Sequence, residues 1–86
     1  MQRRDTILVV DDNPESLRFL VDTLGAEEMT VLIARSGEAT LDLLAEVQPD
    51  LILMDAIMPG ISGIETTRAI KRDPATAHIP VIFMTG

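Results

Sequence analysis

Four short apolar blocks recur along the 86 residues: Ile7-Leu8-Val9-Val10, Val31-Leu32-Ile33-Ala34, Leu51-Ile52-Leu53-Met54 and Val81-Ile82-Phe83-Met84. Each is continuous rather than alternating. A strand with one wet face would carry a polar residue at every second position, so continuous blocks read as strands covered on both faces. Such strands belong to parallel sheets, whose neighbours must be joined by crossovers rather than tight turns. The stretches between the blocks are long enough to hold a crossover helix each.

Those stretches carry helix signals. In the first, Asn13 is a capping residue and Pro14 suits the first helical position. Leu17, Leu20, Val21 and Leu24 then form an i, i+3, i+4, i+7 stripe before Gly25. The second helix starts after Ser36 and carries Leu41, Leu44 and Ala45 on one face, widened by Leu43 and Val47, until Gln48-Pro49 stops it. The third opens on Ser62-Gly63-Ile64-Glu65, an S-x-x-E capping box, and ends near Asp73-Pro74, with Ile64, Ala69 and Ile70 as a thinner apolar face. The order β-α-β-α-β-α-β in one domain, residues 1–86, predicts an α/β doubly wound parallel sheet with helices on both faces. The sequence stops at Thr85-Gly86, directly after the fourth block, so the domain reads as cut at its carboxyl end.

Composition narrows the class further. At 47% hydrophobic residues the chain is too apolar for intrinsic disorder, and no apolar run approaches the roughly 18 residues of a membrane span. Met1-Gln2-Arg3-Arg4-Asp5 is followed by too short an apolar run for a signal-peptide core, and there is no cysteine. Both features fit a cytoplasmic protein. Seven Lys and Arg against 14 Asp and Glu give a formal charge of -7, which disfavours direct contact with nucleic acid or an anionic membrane.

In open α/β sheets, ligands sit beyond the carboxyl ends of the strands. Here those ends hold Asp11 and Asp12 after the first strand, Asp55 after the third and Thr85 after the fourth. Two carboxylates about 4 Å apart repel by on the order of 4 kcal/mol at an effective dielectric near 20, so three together call for a cation. An all-oxygen ligand set selects Mg2+, Mn2+ or Ca2+ over zinc. Taken alone, Asp11 and Asp12 serve equally well as strand-end residues favouring a helix dipole, and Thr85 as an ordinary strand residue. Asp55 is different: the apolar run of Leu51 to Met54 continues past it as Ala56-Ile57-Met58, and a carboxylate in that company needs a partner or a task.

Other candidates have simpler readings. His78 lies in the polar connection Ala75-Thr76-Ala77-His78 and reads as a solvated loop residue, while Met54 and Met84 read as core filling. Gly60 and Gly63 do not form a phosphate-cradling motif, so a nucleotide site is not supported.

Taken together, the residues resemble the receiver domain of bacterial two-component response regulators. The resemblance rests on the acidic pair Asp11-Asp12, Asp55 followed by Met58-Pro59 and Gly63, and Thr85 followed by a small residue. Supporting matches are Ala34-Arg35-Ser36-Gly37 with Ala39 and Leu41, Pro49-Asp50 and Ile79-Pro80. It implies the flavodoxin-like, CheY-like fold with strand order 2-1-3-4, continued in a full receiver by a fifth strand bearing a phosphoryl-pairing Lys. Lys71 and Arg72 lie on the third helix and do not match that Lys.

The resemblance also implies roles. Asp55 would accept a phosphoryl group from a histidine kinase or phosphotransfer protein. Mg2+, or Mn2+, would be bound by Asp12 directly, Asp11 largely through water, Asp55 and the backbone carbonyl of Ile57. Thr85 would be the switch hydroxyl, and the amides of Ile57 and Gly86 would hold the phosphoryl oxygens. The partners implied are the kinase and an output domain or effector protein. The expected activity is that of a phosphoacceptor rather than an enzyme, beyond self-catalysed phosphotransfer and dephosphorylation. Two other readings compete: a receiver-like module acting by protein contact alone, and a metal-dependent phosphatase. The first would be expected to have lost an acidic position, and the second needs an acid/base Asp where Ile57 stands. Finally, a fourth strand left as an open apolar edge predicts self-association of this chain.

Overall fold

The computed structural model describes residues 5–84. Strands β1 (Thr6–Val10), β2 (Thr30–Ala34), β3 (Leu51–Asp55) and β4 (Val81–Met84) alternate with helices α1 (Pro14–Gly25), α2 (Gly37–Leu44) and α3 (Gly63–Arg72). The four strands form one parallel sheet in the order β2-β1-β3-β4. The doubly wound topology is therefore as the apolar blocks imply, and the strand order is as the family resemblance implies.

Strand periodicity divides the core. Leu8, Val10, Ala34, Ile52 and Met54 face one way, joined by Leu44 of α2, Ile70 of α3, Met58 and Ile79. Ile7, Val9 and Leu17 of α1 face the other, with Leu20, Leu24, Leu51, Leu53 and Met84 packed around them. The central strands β1 and β3 are thus covered on both sides, which is why their sequences show no polar alternation.

The helix starts follow their sequence signals. Asn13 Oδ1 accepts from the amides of Glu15 and Ser16 at 2.8 and 3.3 Å, with Pro14 at the first helical position. Ser36 caps α2 through the Ala39 amide at 3.0 Å. At α3 both halves of the capping box form: Ser62 Oγ accepts from Glu65 N at 3.1 Å, and Glu65 Oε1 accepts from Ser62 N at 3.3 Å.

The helix faces differ from expectation in two places. α2 ends at Leu44, so Ala45 and Val47 lie beyond the helix and are exposed rather than widening its apolar face. On α3, Ile64 is exposed, and the buried positions are Gly63, Thr66 and Ile70. Thr66 enters the core because its hydroxyl donates to the Ser62 carbonyl at 2.8 Å, which leaves its methyl group to pack. Thr40 does the same with Ser36, and Thr76 with Ile70, each at 2.8 Å. α1 runs through Gly25, and the left-handed residue of the following turn is Glu28, with φ of 61°. β4 forms an edge of the described sheet, with Ile82 and Phe83 exposed, as the sequence implies.

Candidate functional site

The carboxyl ends of β1 and β3 are neighbours because the two strands pair directly, Val10 opposite Met54. The next residues, Asp11 and Asp55, therefore emerge side by side. Asp11 is nearly buried, and its backbone is fixed by donation of its amide to Ala34 O at 3.2 Å. Its Oδ1 accepts from Asn13 N at 2.9 Å, which aims the turn into α1 and leaves the other carboxylate oxygen available. Asp12 is half-buried, and its carbonyl accepts a long hydrogen bond from Arg35 Nη2 at 3.4 Å.

Asp55 is the last residue of β3, half-buried, and its Oδ1 accepts from the Ile57 amide at 3.1 Å. The chain then turns sharply and closes on itself, with Gly63 N donating to Ala56 O at 3.0 Å. α3 begins directly against this turn. A Cβ at Gly63 would overlap the Asp55 carbonyl and stand 2.9 Å from the Ala56 Cα, so only glycine permits the approach.

Asp11, Asp12 and Asp55 each offer a carboxylate oxygen, and these three lie within 4.8 Å of one another. Burial raises the Asp55 carboxyl above its ordinary range, and the charges of Asp11 and Asp12 add to the rise against the opposing Ile57 N–H. A cleft of about 370 Å³ opens above the cluster, lined also by Asn13, Ser16, Phe19, Leu20 and Met84. The carboxylate donor set and its spacing fit a hard divalent cation, and a cation would relieve the mutual repulsion that raises Asp55.

Of the residues singled out in the sequence, the structure brings together Asp11, Asp12 and Asp55, with the Ile57 backbone next to Asp55. Thr85 and Gly86 lie outside the described residues. His78 is exposed in the α3–β4 connection, away from the cluster. Sequence reasoning missed the α1 side of the cleft. Ser16, Phe19 and Leu20 are spaced so that one helix face carries all three, and Phe19 is 68% exposed, an unusual position for a large apolar ring.

Comparison with known proteins is consistent with this arrangement. Residues 7–86 match the family described as the response regulator receiver domain. A probable cyclic di-GMP phosphodiesterase of Vibrio cholerae is 47% identical over 81 residues, 94% of this chain and 18% of that protein. The polar-differentiation response regulator DivK of Brucella ovis is 40% identical over 81 residues, 94% of this chain and 66% of that protein. The crystal structure of the N-terminal domain of a response regulator receiver protein from Methanoculleus marisnigri superimposes with a TM-score of 0.90 at 44% identity. That superposition covers 93% of this chain and 65% of the crystallised one. The chain thus spans less than two thirds of the length of the curated relatives it matches, and under a fifth of the longer one.

Proposed function

The chain belongs to the response regulator receiver family, and from that premise we propose that Asp55 is its phosphoacceptor, served by Mg2+ or Mn2+ held at Asp11, Asp12 and the Ile57 carbonyl. The observation that carries the reading is the convergence of three carboxylates at the carboxyl ends of paired central strands. Asp55 is the one suited to nucleophilic attack. It is the last residue of a central strand, and its carboxylate lines the cleft.

The transfer balances simply. An Asp55 carboxylate oxygen attacks the phosphorus of a phosphohistidine, the P–O bond forms as the P–N bond breaks, and the electron pair stays on the imidazole nitrogen. The product is an acyl phosphate on Asp55. Little covalent chemistry falls to the protein, whose work is positioning and charge neutralisation. A bound divalent cation would screen the anionic nucleophile from the anionic donor. Asp11 fixes the turn that presents the acidic pair, and the Ile57 amide, which donates to Asp55 Oδ1, would hold a phosphoryl oxygen. By the family resemblance, the Thr85 hydroxyl and the Gly86 amide would help hold the phosphoryl oxygens.

On this reading the chain is a signalling phosphoacceptor rather than a turnover enzyme, since the position two residues beyond Asp55 carries the exposed aliphatic Ile57 and no acid or base. It works in the cytoplasm with a histidine kinase or phosphotransfer protein on one side and an output domain or effector on the other. Among the described residues no helix is long and apolar enough to cross a membrane. Incubation with acetyl phosphate should add one phosphoryl group in Mg2+ and none in EDTA. Labelling that proceeds equally without a divalent ion would contradict the site.

A further inference from the structure

Ile57, whose carbonyl is assigned to the metal, has a side chain 84% exposed, so its own packing does not hold it. It lies in the β3–α3 loop, residues 56–62, and besides buried Met58 and the Ile57 amide hydrogen bond to Asp55 that loop is held at two further places. One is the Gly63 N to Ala56 O hydrogen bond at the base of α3. The other is the first turn of α2, which belongs to neither flanking element.

There, buried Gly37 opens α2 with no room to spare. A Cβ on Gly37 would stand 2.5 and 2.7 Å from Cγ1 and Cδ1 of Ile61 and would overlap Thr66 Oγ1. Thr66 cannot yield easily, because it is fully buried and its hydroxyl donates to Ser62 O. Ile61 therefore lies directly against the first turn of α2. One residue earlier, the Glu38 carboxylate lies over Gly60, where a Cβ would meet Oε2 at 2.9 Å. Gly60 also has φ of 77°, in the left-handed region that favours glycine.

We infer that the first turn of α2 is the positioning element for the loop that presents the Ile57 carbonyl, with Gly37 acting through Ile61 as its positioning residue. Interiors are close-packed and transmit strain, so an extra methyl at 37 displaces Ile61 and the loop with it. Misplacement of a reacting or ligating group by about an ångström is enough to cost one to two decades in function. The inference rests on the proposed metal site, and the test separates the two.

The test measures Mg2+ affinity by isothermal titration calorimetry, with the backbone amide shift of Ile57 followed by NMR, in wild type, Gly37→Ala and Ile61→Ala. Gly37→Ala should bind Mg2+ about tenfold more weakly, the scale of effects seen when outer supports of a metal site are altered, with a displaced Ile57 resonance. Ile61→Ala adds no atom and should weaken binding in the same direction, and it decides the matter if Gly37→Ala does not fold. A folded variant with wild-type affinity and an unmoved Ile57 resonance would overturn the inference while leaving the metal site standing. Wild type that binds no Mg2+ would instead overturn the metal site.

Discussion

Replacing Asp55 with asparagine should make the metal-free protein more stable at neutral pH. Asn keeps the shape and an Oδ1 that can still accept from Ile57 N, so the change removes charge and little else. With carboxylate oxygens within 4.8 Å, each pair repels by about 0.9 kcal/mol in water and about 3.5 kcal/mol at an effective dielectric of 20. Asp12 and Asp55 are both only half-buried, which places the true figure near the lower bound. Two pairs are relieved, so the expected gain is about 1–2 kcal/mol, read as a higher urea midpoint at unchanged slope.

The pH dependence fixes the sign. Burial first, then the Asp11 and Asp12 charges, raise the folded Asp55 carboxyl above its ordinary 3.8. Between the ordinary and the raised value the native state binds more protons than the unfolded one, so stability falls as pH rises through that window. The advantage of Asp55→Asn is therefore full above the raised value and fades as pH falls towards 3.8. Saturating Mg2+ should close the gap from the other side by stabilising wild type more than the variant. A variant less stable than wild type at pH 7 in EDTA, or an advantage that does not shrink on acidification, would refute the reasoning.

Other outcomes follow from the same geometry. Asp12→Ala should weaken Mg2+ binding in a calorimetric titration, whereas Glu46→Ala, exposed and remote from the cleft, should not; equal affinities would remove Asp12 from the site. Glu28→Gly should raise the thermal midpoint, because the left-handed φ of 61° costs a non-glycine residue about 1 kcal/mol and glycine's greater freedom in the unfolded chain offsets only part of that gain. The 86-residue chain, with the Ile82 and Phe83 side chains exposed on its edge strand, should show concentration-dependent light scattering that Ile82→Lys reduces; a monodisperse monomer would argue against pairing along that edge.

The sheet was legible because its strands are continuous apolar blocks, covered on both faces in β1 and β3 though not at the edges, where Ile33 of β2 and Ile82 and Phe83 of β4 are exposed. The block Ile7 to Val10 falls inside β1, and Val81 to Met84 is β4 itself. The acidic cluster was legible chiefly through Asp55, a carboxylate inside an apolar run, and the pairing of β1 with β3 brings Asp11 beside it. Helix faces were less so. Hydropathy counts Thr66 as polar and Ile64 as apolar, yet the threonine satisfies its hydroxyl on its own helix and goes inside while the isoleucine stays out. No periodicity rule sees that exchange. Nor could it see why Gly37 and Gly63 are glycines, since the atoms that exclude a side chain come from Ile61 and Thr66 in one case and from Asp55 and Ala56 in the other. Phe19 reads from its helix position equally as surface or core, and the cleft shows it at the rim.

The central claim is that Asp55 takes a phosphoryl group as an acyl phosphate with the help of a divalent ion. Its most direct test is to phosphorylate the protein with acetyl phosphate in Mg2+, reduce the product with borohydride and locate the modified residue by peptide mass spectrometry. The account predicts a single hydroxylamine-labile phosphoryl group at Asp55, absent from Asp55→Asn and from EDTA-treated protein. An acid-stable phosphate on Ser62 or Thr85, or full labelling of Asp55→Asn, would contradict it.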